Sequence, residues 1–159
     1  PYGVVTSSEE YGEKAFTMAA CNELRDKVKE ELNGFFECND IDHHIKKGFV
    51  QLLGSSGTVT TVAAMALDLQ RYERTAVDGA SFLVSDLDQV TQRILDMTDK
   101  ERFEHPCIGG GRTELVVVGS AILRGIYERT NVEVVRVADR GVREGILIDL
   151  MSEVLRPNV

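Results

Sequence analysis

The chain has 159 residues, 43% of them hydrophobic and 28% charged, enough for one domain that buries roughly 70% of the surface exposed by its unfolded chain. Its 26 acidic residues outnumber 18 basic ones, and the net charge of −8 disfavours nonspecific attraction to nucleic acid or anionic membrane, so any polyanion must be bound locally. No apolar run approaches the roughly 18 residues of a membrane span and no signal-peptide pattern is evident, while Cys21, Cys38 and Cys107 lack the spacing of a disulfide framework or zinc site, so a cytoplasmic protein with reduced thiols is expected.

Along the chain, Gly3-Val4-Val5-Thr6 reads as a strand. Ser7 and Glu10 then have capping-box spacing, and Phe16, Ala19, Leu24, Val28 and Leu32 recur near the helical period, which predicts a long helix with Gly34 as its stop. Residues 39–47 are polar and turn-like. Phe49 to Leu53 are apolar between Gly48 and Gly54, as in a buried strand. After Gly54-Ser55-Ser56-Gly57-Thr58, the three-four spacing of Val59, Val62, Ala63, Ala66 and Leu69 predicts a helix whose small residues pack closely on a sheet.

Ser85 with Asp88 and Thr98 with Glu101 have capping-box spacing, the first opening a helix that carries Leu87, Val90, Ile94 and Met97 on one face. Glu104 to Gly111, with Pro106 and three consecutive glycines, must be a loop. Leu115 to Val118 could be a strand, but Leu115, Val118, Ile122 and Ile126 share a helical stripe, and a helix over residues 112–130 is preferred. Val132 to Val137 reads as a strand and Ile146 to Leu155 as a closing amphipathic helix. Strands alternating with helices, without an internal repeat or linker, predict one α/β domain over residues 1–159.

A glycine- and serine-rich turn between a buried strand and a helix presents backbone N–H groups at the positive end of the helix dipole, which suits an oxyanion. Gly54, Ser55, Ser56, Gly57 and Thr58 are therefore candidate phosphate-binding residues, although the spacing equally allows a plain tight turn with Ser56 or Thr58 as helix cap. The loop is neither a Walker loop nor GxGxxG. Arg112, after the three glycines, could reach a phosphate with a forked pair of donors, or could belong to a solvated linker. Asp139, Arg143 and Glu144 fall between the last strand and last helix, where open α/β folds collect ligands; Asp139 could equally cap the helix and Arg143 pair with a nearby acid. His43 and His44 beside Asp40 and Asp42 have the right chemistry for a metal, but adjacent residues rarely point at one ion, so no metal ligands are assigned. No catalytic residue can be named.

Taken together, Gly3-Val4-Val5-Thr6, the run Gly54 to Thr61, Arg112 with Gly119-Ser120-Ala121-Ile122-Leu123, and Asp139 to Gly145 resemble the exopolyphosphatase/guanosine pentaphosphate phosphatase (Ppx/GppA) family in order and spacing. The resemblance implies an actin-like ATPase (ribonuclease H-like) fold of two related α/β domains around a cleft, and hydrolysis of phosphoanhydride bonds in inorganic polyphosphate or guanosine pentaphosphate, assisted by a divalent metal, usually Mg2+. It places Gly54 to Thr58 on the cleft side of the second domain and gives the Arg143-Glu144-Gly145 motif a partly structural role. Ser55 stands where the family often has Thr.

The family's amino-terminal domain with its catalytic glutamate, and the glycine-rich phosphate loop that normally precedes a strand like Gly3 to Thr6, do not occur in this sequence. The chain is thus expected to be most of a second actin-like domain, truncated at its N-terminus and inactive alone, with an exposed sheet edge that could pair with another chain, as in a homodimer. The alternatives are half of an actin-fold sugar or acetate kinase, and a noncatalytic alarmone-binding module.

Overall fold

The computed structural model describes residues 2–12, 17–55 and 57–155, and, within the last helix, side chains as far as Ser152. Its elements run α1 (Val4–Tyr11), α2 (Met18–Cys38), α3 (Ile41–Lys46), β1 (Leu52–Gly54), α4 (Gly57–Ala66), α5 (Arg74–Val77), β2 (Ser81–Leu83), α6 (Val84–Asp96), α7 (Asp99–Glu104), α8 (Thr113–Thr130), β3 (Val134–Val137) and α9 (Val142–Leu155). This is a mixed α/β fold. Three short strands pair in the order β1-β3-β2. β1 lies parallel to β3, with Leu53 opposite Arg136, and β2 lies antiparallel to it, with Phe82 opposite Val135. Parallel strands need a long crossover, and α4 to α8 supply it.

The core gathers where α4, α6 and α8 meet β3. Val62, Ala63, Val77, Leu87, Ile94, Val135 and Val137 are fully buried. α4 is buried from Val59 to Met65, which small and β-branched residues permit because neighbours can approach its backbone from every side. α8 carries two such approaches. A Cβ on Gly125 would lie 2.7 Å from the Arg25 carbonyl oxygen of α2, and one on Gly119 would lie 2.3 Å from the Thr58 hydroxyl of α4. Both glycines are required by contact.

Several expectations change. Val4 to Thr6 are helical, not extended: the Ser7 amide donates to the Gly3 carbonyl at 2.8 Å, and the helix packs on α8. α2 is capped by Thr17, whose hydroxyl accepts from the Ala20 amide at 3.2 Å, and runs past Gly34 to Cys38. Residues 41–46 form a helix where a turn was expected. β1 begins at Leu52, leaving Phe49 75% exposed. Ser85 does not cap α6, which starts at Val84 without a side-chain cap; Asp88 instead accepts from Arg124 of α8 at 2.8 Å. The Thr98–Glu101 capping box forms in both directions.

The fold also adds β2 and α5, which the sequence pattern did not reveal. Cys21 and Cys107 are buried and Cys38 is exposed, and no disulfide links them. No helix among the described residues is long and apolar enough to cross a membrane. α9 differs from every other long helix: Ile146, Leu147, Ile148, Leu150 and Met151 are each more than half exposed, and apolar residues appear on all its sides.

Candidate phosphate site

The site begins where β1 ends. Gly54 needs its missing side chain, because a Cβ there would sit 2.6 Å from Val59 Cγ1; the loop folds tightly over the first turn of α4. Ser55 then donates its hydroxyl to the Arg140 carbonyl at 2.9 Å, fastening this loop to the one between β3 and α9. Ser56 lies outside the described residues. Gly57 and Thr58 open α4. The Thr58 side chain lies against Gly119 of α8 and faces apolar surroundings, so of the described loop residues it is Ser55 and Gly57 that border a polar pocket.

That pocket has a volume of about 510 Å³ and is walled by Ser55 and Gly57 on one side and by Asp139 to Glu144 on the other, with Arg74 at its edge. The first turns of α4 and α9 thus border one space. Gly57 also borders a second, apolar recess with Arg112. A Cβ on Gly57 would have the Arg112 Nη1 atom at 3.9 Å as its nearest neighbour. Arg112 and Arg143 therefore line two different recesses that both reach Gly57.

The charges around the pocket are unequal in their commitments. Arg74 contacts Glu144 Oε1 at 2.9 Å and Asp139 Oδ2 at 3.4 Å, and it also donates to the Asp139 carbonyl. Arg140 donates to Asp78 at 2.7 Å. Arg112 and Arg143 are exposed and form no ion pair with a described residue, so either can turn to a phosphate without breaking a bond. Asp139 accepts from the Tyr72 hydroxyl at 2.7 Å, and its amide donates to Asp78 at 3.0 Å.

Glu144 has two duties. Its Oε2 accepts from the Gly141 amide at 2.8 Å while Oε1 holds Arg74. The Gly141 hydrogen bond first, and Arg74 second, push its acidity to a pKa of about 2. It is a carboxylate that shapes a loop, and a poor proton acceptor.

Tyr72, Arg74 and Asp78 were not singled out from sequence. Their partners lie 61 to 70 residues away, and local periodicity carries no signal for such pairing. The polar run from Gln70 to Thr75 was the one available hint, and it does not reach Asp78.

The metal expectation can be tested on these side chains. Asp139 and Glu144 are the carboxylates at the pocket, and both are engaged by Arg74. Among the described residues no three His, Cys, Asp or Glu side chains gather to hold an ion. At α3, Asp42 is taken by a two-pronged contact with Arg129, at 3.0 and 3.2 Å.

A family model described as the Ppx/GppA phosphatase family matches residues 1–154. The chain belongs to that family. Among curated relatives, exopolyphosphatase 2 of Mycobacterium tuberculosis is 28% identical over 102 residues, covering 62% of this chain and 32% of that protein. Among solved structures, the Aquifex aeolicus Ppx/GppA family member superposes with a TM-score of 0.78 at 23% identity, covering 100% of this chain and 48% of that one. An exopolyphosphatase-like protein gives a TM-score of 0.73 at 26% identity, covering 96% and 49%. This Ppx/GppA chain therefore spans about half the length of those structures and about a third of the curated relative. The fold class follows from the superpositions. Membership associates the chain with phosphatases, a family of hydrolases that uses magnesium.

Proposed function

We propose that this chain is the phosphate-positioning half of a phosphoanhydride hydrolase acting on inorganic polyphosphate or guanosine pentaphosphate, and that it forms most of a second actin-like domain. One observation carries the reading: the first turns of α4 and α9 border one polar pocket, joined by the Ser55–Arg140 hydrogen bond. In this reading Gly54 to Thr58 supply the cradle, with the Gly57 amide and the Ser55 side of the loop against one phosphate. Arg112 and Arg143 neutralise charge on either side, and Asp139 and Glu144 keep the opposite wall in place. Phosphoryl transfer depends chiefly on positioning and charge neutralisation, which this surface can provide. Activation of water is assigned to sequence beyond this chain, which alone is inactive.

The test uses the full-length protein that contains this chain. Phosphate release from polyphosphate or guanosine pentaphosphate, weakened by Gly57→Val, is the expected result. Phosphoryl transfer to a sugar or acetate acceptor without such release would instead identify an actin-fold kinase. Tight alarmone binding with no turnover would identify a sensor.

A further inference from the structure

The wall of the pocket opposite α4 is a loop with no regular structure, yet its backbone is almost completely bonded. The Asp139 amide donates to Asp78, the Asp139 carbonyl accepts from Arg74, the Arg140 carbonyl accepts from Ser55 and the Gly141 amide donates to Glu144. Two of these four partners, Asp78 and Arg74, come from residues 72–78, and a third, Glu144, is itself held by Arg74. Tyr72 adds a hydrogen bond to the Asp139 side chain. One short polar segment thus sets the position of a loop some 60 residues further along.

Arg74 is the centre of this arrangement, because it alone contacts the Asp139 carbonyl, the Asp139 carboxylate and the Glu144 carboxylate. A guanidinium suits this better than an ammonium, because its five planar donors are spread over three nitrogens and reach several acceptors at fixed angles. Its charge matters as much as its shape. The pocket is lined by Arg74, Arg140 and Arg143 against Asp139 and Glu144, and Asp78 already occupies Arg140. Without Arg74, two carboxylates would face an incoming anion with only Arg143 uncommitted.

We propose that Arg74 is a positioning residue of the phosphate site, which fixes the Asp139 to Glu144 wall and neutralises its two carboxylates so that a polyphosphate anion can enter. This rests on the phosphate-site reading above and names a residue that reading does not require. Arg74 touches the wall of the pocket and acts on the anion through it.

The experiment titrates inorganic tripolyphosphate into the full-length protein that contains this chain, with divalent metal chelated, followed by phosphorus and amide NMR. Arg74→Met should weaken binding by about tenfold or more, the scale of losing a charge-assisted contact network. Arg74→Lys, which keeps the charge, should recover part of the loss. Arg74→Met combined with Glu144→Gln, which removes one uncompensated carboxylate yet leaves an acceptor for the Gly141 amide, should recover more. Hydrogen exchange at the Asp139 amide should quicken in Arg74→Met while that at Val62, in the core, stays unchanged, separating a loosened wall from a damaged fold. Unaltered tripolyphosphate affinity in Arg74→Met, with wild type binding normally, overturns the role of Arg74 alone. A wild-type chain that gives no response overturns the phosphate site and Arg74's role together. If Arg74→Met fails to fold, Arg74→Lys with wild-type affinity and exchange overturns the need for a guanidinium.

Discussion

The Ser55 hydroxyl donates to the Arg140 carbonyl at 2.9 Å across 85 residues of sequence, and it is the direct side-chain tie between the two described loops that form the pocket. Ser55→Ala should cost about 1 kcal/mol, the usual net value of one hydrogen bond. Ser55→Thr, which keeps the hydroxyl, should cost less. Thermal unfolding measures the first effect, and amide exchange at Gly141 should report a freer loop in the alanine variant only.

Gly57 is a different kind of glycine from Gly54. Nothing lies closer than 3.9 Å to where its Cβ would be, so folding does not demand it. Gly57→Ala should leave the melting temperature unchanged or slightly higher, since alanine favours helix more than glycine, while tripolyphosphate binding weakens. Equal affinity in wild type and variant would place the anion elsewhere.

Gly119 and Gly125 mark sites where the fold does demand glycine. Adding a methyl group at Gly125 must push α2 from α8, and at Gly119 must displace Thr58 at the start of α4. Each alanine substitution should destabilise by about 1–3 kcal/mol, as overpacking does. The Gly119 variant should also disturb phosphate binding, whereas the Gly125 variant should not, and a chemical denaturation series with parallel binding assays separates the two.

Glu144 predicts an acid limb. Its pKa is lowered to about 2 in the folded chain from an ordinary 4.5, so the folded state holds the ionised form more firmly than the unfolded state does. That contribution is complete above about pH 4.5 and disappears as the pH falls through about 2. Glu144→Gln should flatten the stability curve over this window. An identical acid limb in wild type and variant would count against the Gly141 and Arg74 contacts.

Much of the site was readable because strand, glycine loop and helix are consecutive: β1, the loop and α4 follow one another over 15 residues, from Leu52 to Ala66, and hydrophobic period marks them. The same holds for the Thr98 cap, where both partners are three residues apart. Val4, Val5 and Thr6 misled because β-branched residues favour strands only weakly, and contact with α8 outweighs that preference. Gly34 failed as a stop because a solvent-facing glycine costs a helix only about 1 kcal/mol. Beyond it, Phe36 is buried with the Arg129 guanidinium 3.9 Å over its ring, and that anchor carries the helix onward. Arg74, Tyr72 and Asp78 were hidden for the opposite reason, since their importance exists only once distant loops meet.

The uncovered hydrocarbon of α9 bears directly on how the pocket can be studied. Ile146, Leu147, Ile148, Leu150 and Met151 begin within one turn of Glu144, so molecules that cluster through this helix do so beside the polar pocket. A titration at high protein concentration would then report assembly together with occupancy. Repeating it at two concentrations, with Leu147→Glu and Met151→Glu as a dispersing pair, turns that complication into a readout: affinity that rises as the chains separate shows that clustering had been shielding the pocket.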